Sequence, residues 1–298
     1  MKTYYILSLV ILIVDFAFGS VVESKVLNET PIAEVSWLQK HLKDDNLLVI
    51  DVRKEEAYLK GHVQGAVNMP VMKDFFTPKM LMFPKLDILK ERFSEVGIDD
   101  NTQVVVYDNG QFCWAARAYW VLKVLGHEKV KLLRYGYGAY LQKHLPISTK
   151  QPTRKRKSFI IRINNQMIET KLGVLMAIGK KPILDGRTED MYMGRTSIAK
   201  RYGHIPTAKL FSGSNNYRIT EEGNKLKSFN ELKKVYEGLP KDQTSIIYCQ
   251  DGADAALDYI MMKELGYKSI VYEGSWLEWG NDDNTPIENP SAKDVKKK

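Results

Sequence analysis

Cys249 stands in the run Ser245-Ile246-Ile247-Tyr248-Cys249-Gln250-Asp251-Gly252-Ala253-Asp254-Ala255. Before it lies a short apolar stretch with β preference; after it Ala253, Ala256, Leu257, Ile260 and Met261 fall at helical spacing. Strand, loop and helix in that order place the thiol at a helix N-terminus, where free N–H groups and the macrodipole favour an anion. The chemistry expected there is nucleophilic, from a thiol whose ionised form is stabilised. The loop itself is Gln250, Asp251, Gly252, Ala253 and Asp254, with Gly252 free to turn amides inward. Asp251 and Asp254 work against the helix terminus, because a carboxylate near a thiolate raises the thiol pKa and repels anionic substrates. Phosphoryl transfer on such a loop would need an arginine six residues after the cysteine to clamp phosphate, and Ala255 holds that place. The competing reading of Cys249 is a buried structural cysteine at a strand end. Cys113, in Gln111-Phe112-Cys113-Trp114-Ala115, reads as packing rather than as a redox partner.

The totals narrow the choices. With 298 residues the chain has room for two domains. Two cysteines exclude a disulfide framework and a cysteine-based metal site, and the five histidines show no H-x-x-x-H or H-E-x-x-H spacing. No metal and no organic cofactor is expected. The net charge of +8 is concentrated in Lys150–Lys157 and Lys293–Lys298. Neither run interleaves aromatics with its cations, so both read as solvated linker or tail and nucleic acid is not an expected partner. Residues 1–19 have the zones of a secretory signal peptide: Met1-Lys2, an apolar core from Tyr4 to Val14, and Ala17-Phe18-Gly19 before Ser20. That core is too short to span a bilayer, so stable membrane insertion is not expected. The chain is therefore expected to be exported, periplasmic if bacterial and otherwise secreted. A lone nucleophilic thiol there needs a protected site or a thiol-reducing protein. Asn28-Glu29-Thr30 is a glycosylation triplet in a eukaryotic host, weakened by Pro31.

The elements that must position Cys249 occur twice. Leu47-Leu48-Val49-Ile50-Asp51-Val52-Arg53, followed by Gly61-His62-Val63, returns as Pro182-Ile183-Leu184-Asp185-Gly186-Arg187 followed by Gly203-His204-Ile205. Val104-Val105-Val106-Tyr107-Asp108 returns as Ser245-Ile246-Ile247-Tyr248-Cys249, and the segments ending in Gly126 and Gly266, or built around Gly136 and Gly274, follow in the same order. An offset held over five blocks means a duplicated domain. Strands alternate with helical patterns in each copy, which predicts an α/β fold with a largely parallel sheet flanked by helices. The expected boundaries are a domain over 20–145, a linker over 146–162 and a second domain over 163–298.

Together the Asp-Gly-Arg and Tyr-Gly-His-Ile-Pro segments of the second half, the strand-Cys-loop-helix, and Val271-Tyr272-Glu273-Gly274-Ser275-Trp276-Leu277-Glu278-Trp279-Gly280 resemble the tandem-domain rhodanese family of sulfurtransferases. The resemblance covers nearly all of the chain after residue 30. It implies a catalytic Cys249 in the second domain and a first domain without a catalytic cysteine, Asp108 standing in its place. The chemistry implied is transfer of a sulfane sulfur from a donor such as thiosulfate or 3-mercaptopyruvate, through a Cys249 persulfide, to a thiol or cyanide acceptor. By the same resemblance Arg187 fixes the anionic end of the donor, unless it closes a salt bridge at its strand end, and Arg195 is a second cation. Asp51 and His62 are first-domain contributors by motif, although an Asp and a His recur in both halves as fold elements. A family member whose acidic loop has lost turnover would be a sulfur-carrier or binding module, which is the alternative function.

Overall fold

Apolar runs too short for helices, each closed by a polar turn, become strands whose two faces are both covered. The computed structural model describes residues 30–79 and 82–295. The expected signal peptide over 1–19, Asn28 of the glycosylation triplet and the last lysines lie outside the described residues. The first half forms β1 (Ile32–Ala33), β2 (Leu47–Asp51), β3 (His62–Val63), β4 (Val67–Asn68), β5 (Gln103–Tyr107), β6 (Val130–Leu133) and β7 (Ile147–Ser148). The second forms β8 (Ile168–Glu169), β9 (Ile183–Asp185), β10 (Lys209–Leu210), β11 (Tyr217–Arg218), β12 (Lys225–Leu226), β13 (Ser245–Tyr248) and β14 (Ser269–Tyr272). One five-stranded sheet has the order β1-β6-β5-β2-β4 and the other β10-β9-β13-β14-β8, which read from its far end is the same order again. Every pair in both sheets is parallel.

The register puts corresponding residues side by side at the carboxyl ends of the central strands. Asp51 pairs with Tyr107 in the first sheet and Asp185 with Tyr248 in the second. Asp108 and Cys249 are the next residues along. In a parallel α/β sheet that end is where ligands are met.

The halves meet through the helices that follow these strand ends, Cys113–Val124 and Ala253–Glu264, which pack on one another. Ala115, Ala116 and Ala118 on one, with Ala253, Ala255 and Ala256 on the other, are buried and leave room for the backbones to approach. One apolar cluster runs from Leu48 and Val106 through Ala116 and Trp120 to Leu257, Ile260 and Val271. The Ala253–Glu264 helix is therefore buried on both sides and not along one stripe: one side lies on its own sheet and the other on its twin.

The basic linker is exposed over much of its length, as its composition suggests, but it is also fastened to the first domain. Residues 151–164 form neither helix nor strand, yet Phe159 is buried edge-on to Phe93, their ring centres 5.0 Å apart. Backbone bonds tie the segment to the first domain, from Lys157 N to Ser94 O, Arg162 N to Leu125 O and Asn164 N to Val124 O. Arg156 and Arg162 donate in pairs to the carboxylates of Glu91 and Asp100. Two of the linker's cations are thereby paired on a helix and a turn distant in sequence.

Candidate active site

Cys249 is the first residue beyond β13 and is fully buried. Gly252, with φ at +91°, turns its amide back so that it donates to Cys249 Sγ at 3.1 Å. The Cys249 backbone is held by the start of the helix Ser275–Trp279 that follows β14: its N–H donates to Ser275 Oγ at 3.2 Å, and its carbonyl accepts from Trp276 N at 3.0 Å. Leu277 N donates to Gln250 O in the same way. Asp251 Oδ1 accepts from Ala253 N at 3.1 Å and lies 3.9 Å from Sγ, within reach of the thiol hydrogen.

The sequence sets a helix terminus that favours the thiolate against two acids that oppose it, and in the folded chain the opposing side prevails. Burial pushes the Cys249 thiol well above its ordinary range; Asp251 and Asp254 push it the same way, and the amides of Ala255 and Asp251 only partly oppose them. A full helix-terminus effect is worth about 2 kcal/mol at most, less than the desolvation of a buried anion. Asp254 is itself pushed up to about 7 by burial and then by Asp251. Burial also raises Asp251, against the pull of the Ala253 amide and the Arg117 charge. Cys113 is buried on the facing helix, its thiol raised first by burial and then by Asp254.

The first half shows what such a loop holds when no cysteine is present. Asp108 occupies the place of Cys249, and its carboxylate accepts from the amides of Gly110 at 2.7 Å, Phe112 at 3.0 Å and Ala115 at 3.2 Å. Phe112 and Gly252 both take left-handed backbone conformations as the residue before the helix. Ala115 and Ala255 correspond in turn, two residues into each helix. The same two amide positions thus face a carboxylate in one half and a sulfur in the other.

The other residues singled out from the sequence are held at the strand ends or at the surface. Arg187, expected to hold the donor, closes onto Asp185 with Nε and Nη2, donates to Gly203 O, and packs 4.3 Å from the Trp276 ring centre. Its side chain is 1% exposed, and only Nη1 has no hydrogen-bond partner. The Asp-x-Arg spacing makes this a local chelate, and Asp51 with Arg53 repeats it, down to Gly61 O as the third acceptor. Tyr107 and Tyr248 donate to these aspartates at 2.5 Å. His62 stacks on Tyr58 and His204 on Tyr192. Asp51 and His62 are therefore placed as parts of a strand-end cluster built in both halves. Arg195 is at the surface, paired with Asp190 and Glu189. Among the described residues no group of His, Cys, Asp and Glu side chains could hold a metal ion.

Sequence reasoning missed Arg117 and Glu273. Arg117 lies in the Cys113–Val124 helix, fully buried, and its Nη2 donates to Glu273 Oε1 at 2.7 Å across the domain boundary. Glu273 Oε1 also accepts from Phe83 N at 2.8 Å. The signal was available: an arginine inside Ala115-Ala116-Arg117-Ala118-Tyr119-Trp120 has no polar face to emerge from, so it must be paired inside.

Two segments, 34–143 and 170–282, match the family model of the rhodanese-like domain. A Thermus thermophilus protein named sulfur carrier protein TtuD is 29% identical over 86% of this chain and 95% of its own length. A Mycobacterium leprae protein named as a thiosulfate sulfurtransferase, SseA, is 30% identical over 86% of this chain and 91% of its own. Among solved structures, the 3-mercaptopyruvate sulfotransferase SseA of Escherichia coli superposes with a TM-score of 0.72 at 26% identity, covering 83% of this chain and 99% of that one.

Proposed function

The chain belongs to the rhodanese family and is a sulfurtransferase, and on that premise we propose that it moves a sulfane sulfur from a small donor to a thiol or cyanide through a persulfide on Cys249. The observation that carries this reading is the shared amide cradle. In the first half it holds the Asp108 carboxylate, whose oxygens stand two bonds beyond Cβ. The terminal sulfur of a Cys249 persulfide would also stand two bonds beyond Cβ, so the loop suits an anion of that reach.

In the first step the buried thiol gives its proton to Asp251, whose Oδ1 is its acceptor, and the sulfur attacks the outer sulfur of the donor. A bond forms between Sγ and that sulfur while the donor's bond to it breaks; its electron pair leaves on sulfite from thiosulfate, or on the enolate of pyruvate from 3-mercaptopyruvate. An acceptor thiolate or cyanide then takes the terminal sulfur, and Cys249 leaves as the thiolate. Of the residues named from the sequence, Cys249 acts as nucleophile, and Gln250, Asp251, Gly252, Ala253 and Asp254 form its loop. Arg187, Asp51 and His62 shape the strand ends, and Arg195 remains available to an incoming anion only by leaving its surface carboxylates.

Incubation with each donor should add about 32 Da to the wild-type chain and to Cys113→Ala, and nothing to Cys249→Ala. Cyanide should then remove the adduct as thiocyanate. An adduct persisting in Cys249→Ala would overturn the mechanism. The fully buried sulfur and raised thiol favour a second reading, a carrier without turnover; it predicts an adduct that small acceptors leave in place. Export with cleavage near Ser20 belongs to the same proposal, and intact-mass analysis from the native host, finding residues 1–19 still attached, would refute it.

A further inference from the structure

Arg117 reaches the Cys249 loop from the half whose own strand end carries no cysteine. Nη2 is bound to Glu273 and Nε reaches Phe75 O at 3.4 Å, while Nη1 is buried without a hydrogen-bond partner. A buried, bare guanidinium N–H is unfavourable and rare enough to need a reason. This one points at the loop: the position a Cβ on Gly252 would occupy is 3.1 Å from Nη1 and 3.2 Å from Glu273 O. Gly252 is the residue whose amide meets the sulfur. Gln250 Oε1 and Nε2 and Glu273 Oε2, at the same loop and the segment beside it, are also without partners. The Phe76 and Trp120 rings flank the guanidinium on its own side, 4.5 and 5.2 Å from their centres.

We propose that Arg117 is a positioning residue of the Cys249 site: from the non-catalytic half it supplies the positive charge that balances the anion formed on the sulfur, and it holds the Gly252 peptide against that sulfur. The charged and titratable groups around Cys249 make the need plain. Asp251, Asp254 and Asp258 come from its loop and helix, Asp185, Arg187 and Tyr248 from the strand ends, Glu273 from the segment after β14, and Cys113 from the facing helix. Arg187 is held by Asp185 through two of its nitrogens, Arg117 by Glu273 through one. Arg117 is the cation whose unpartnered Nη1 is turned to Gly252, and its charge already favours the carboxylate form of Asp251. The cation sits on one half and the nucleophile on the other, so the site is whole only when the two are docked.

This inference deepens the persulfide reading and rests on Cys249 ionising during turnover. Its test does not need turnover. In full-length protein carrying Cys113→Ala, the alkylation of Cys249 by iodoacetamide is followed against pH by peptide mass, the midpoint reporting ionisation and not access. Arg117→Met should move the midpoint up by a unit or more, a tenfold slower reaction at any pH below it, and Arg117→Lys should recover part of the shift. Glu273→Gln keeps the arginine and removes the charge that neutralises it, so its midpoint should move down. Folded Arg117→Met with an unmoved midpoint, or Arg117→Met and Glu273→Gln moving together, would overturn the proposal in favour of a purely structural pair. Should Arg117→Met not fold, the sign of the Glu273→Gln shift decides alone. If wild type alkylates as expected but no donor loads sulfur onto it, the persulfide reading fails while the role of Arg117 stands.

Discussion

Asp254 is the residue whose replacement says most about the site. Burial lifts its carboxyl to about 7, so between roughly pH 4 and 7 the folded chain holds a proton that the unfolded chain has released. That contribution to stability is fully present below about pH 4 and is lost as the pH rises to 7. Asp254→Asn removes the loss, so its melting temperature relative to wild type should climb across that window and stay level above it. Thermal melts from pH 4 to 9 check this, and a constant difference would mean that the carboxyl titrates normally. The ionised acid also opposes anionic donors. Two unit charges about 6 Å apart interact by roughly 2–3 kcal/mol at an effective dielectric near 20, so kcat/KM for thiosulfate at pH 8 should rise about tenfold or more in Asp254→Asn. The gain should shrink with added salt.

At the scale of elements, the strap of residues 151–164 carries weight that its composition hides. Phe159 fills a place between Phe93 and His127, and Phe159→Ala should cost about 3–5 kcal/mol. Arg156→Gln, which breaks a pair whose side chains are both more than half exposed, should cost under about 1 kcal/mol. Denaturant titrations of both variants rank them; equal costs would show the strap to be loosely held. Fold class, the duplication and the strand-Cys-loop-helix were legible because each is a local pattern of apolar spacing and turn residues. The strap was not, since what buries Phe159 and neutralises Arg156 and Arg162 lies on a helix and turn some 60 residues earlier.

For the molecule as a whole, the twin helices join the two domains through one shared apolar cluster, while each domain keeps a second cluster of its own. Unfolding of the full chain in guanidinium should therefore give a single transition, with far-UV circular dichroism and tryptophan fluorescence coincident. Two separated transitions would mean that the helix–helix contact, with the Arg117–Glu273 pair beneath it, adds little to the stability of either half. The duplicate is retained in this arrangement as part of the site: its Asp108 fills its own amide cradle, and its Arg117 serves the other.

By itself the sequence determined the elements, their repetition, the parallel sheets and the cysteine at the mouth of a helix, because spacing and turn chemistry act between near neighbours. It also located Asp251 and Asp254 beside the sulfur. Only the tertiary structure decided which effect on that sulfur wins, since burial depends on the facing helix Cys113–Val124 and on the helix that begins at Ser275, both remote in sequence. Tertiary structure also decided that Arg187 is committed to Asp185 and that a cation from the other half faces the loop. Charges act through space: the acids beside the sulfur are near neighbours in sequence, but the cation that faces them, Arg117, lies more than 130 positions before Cys249.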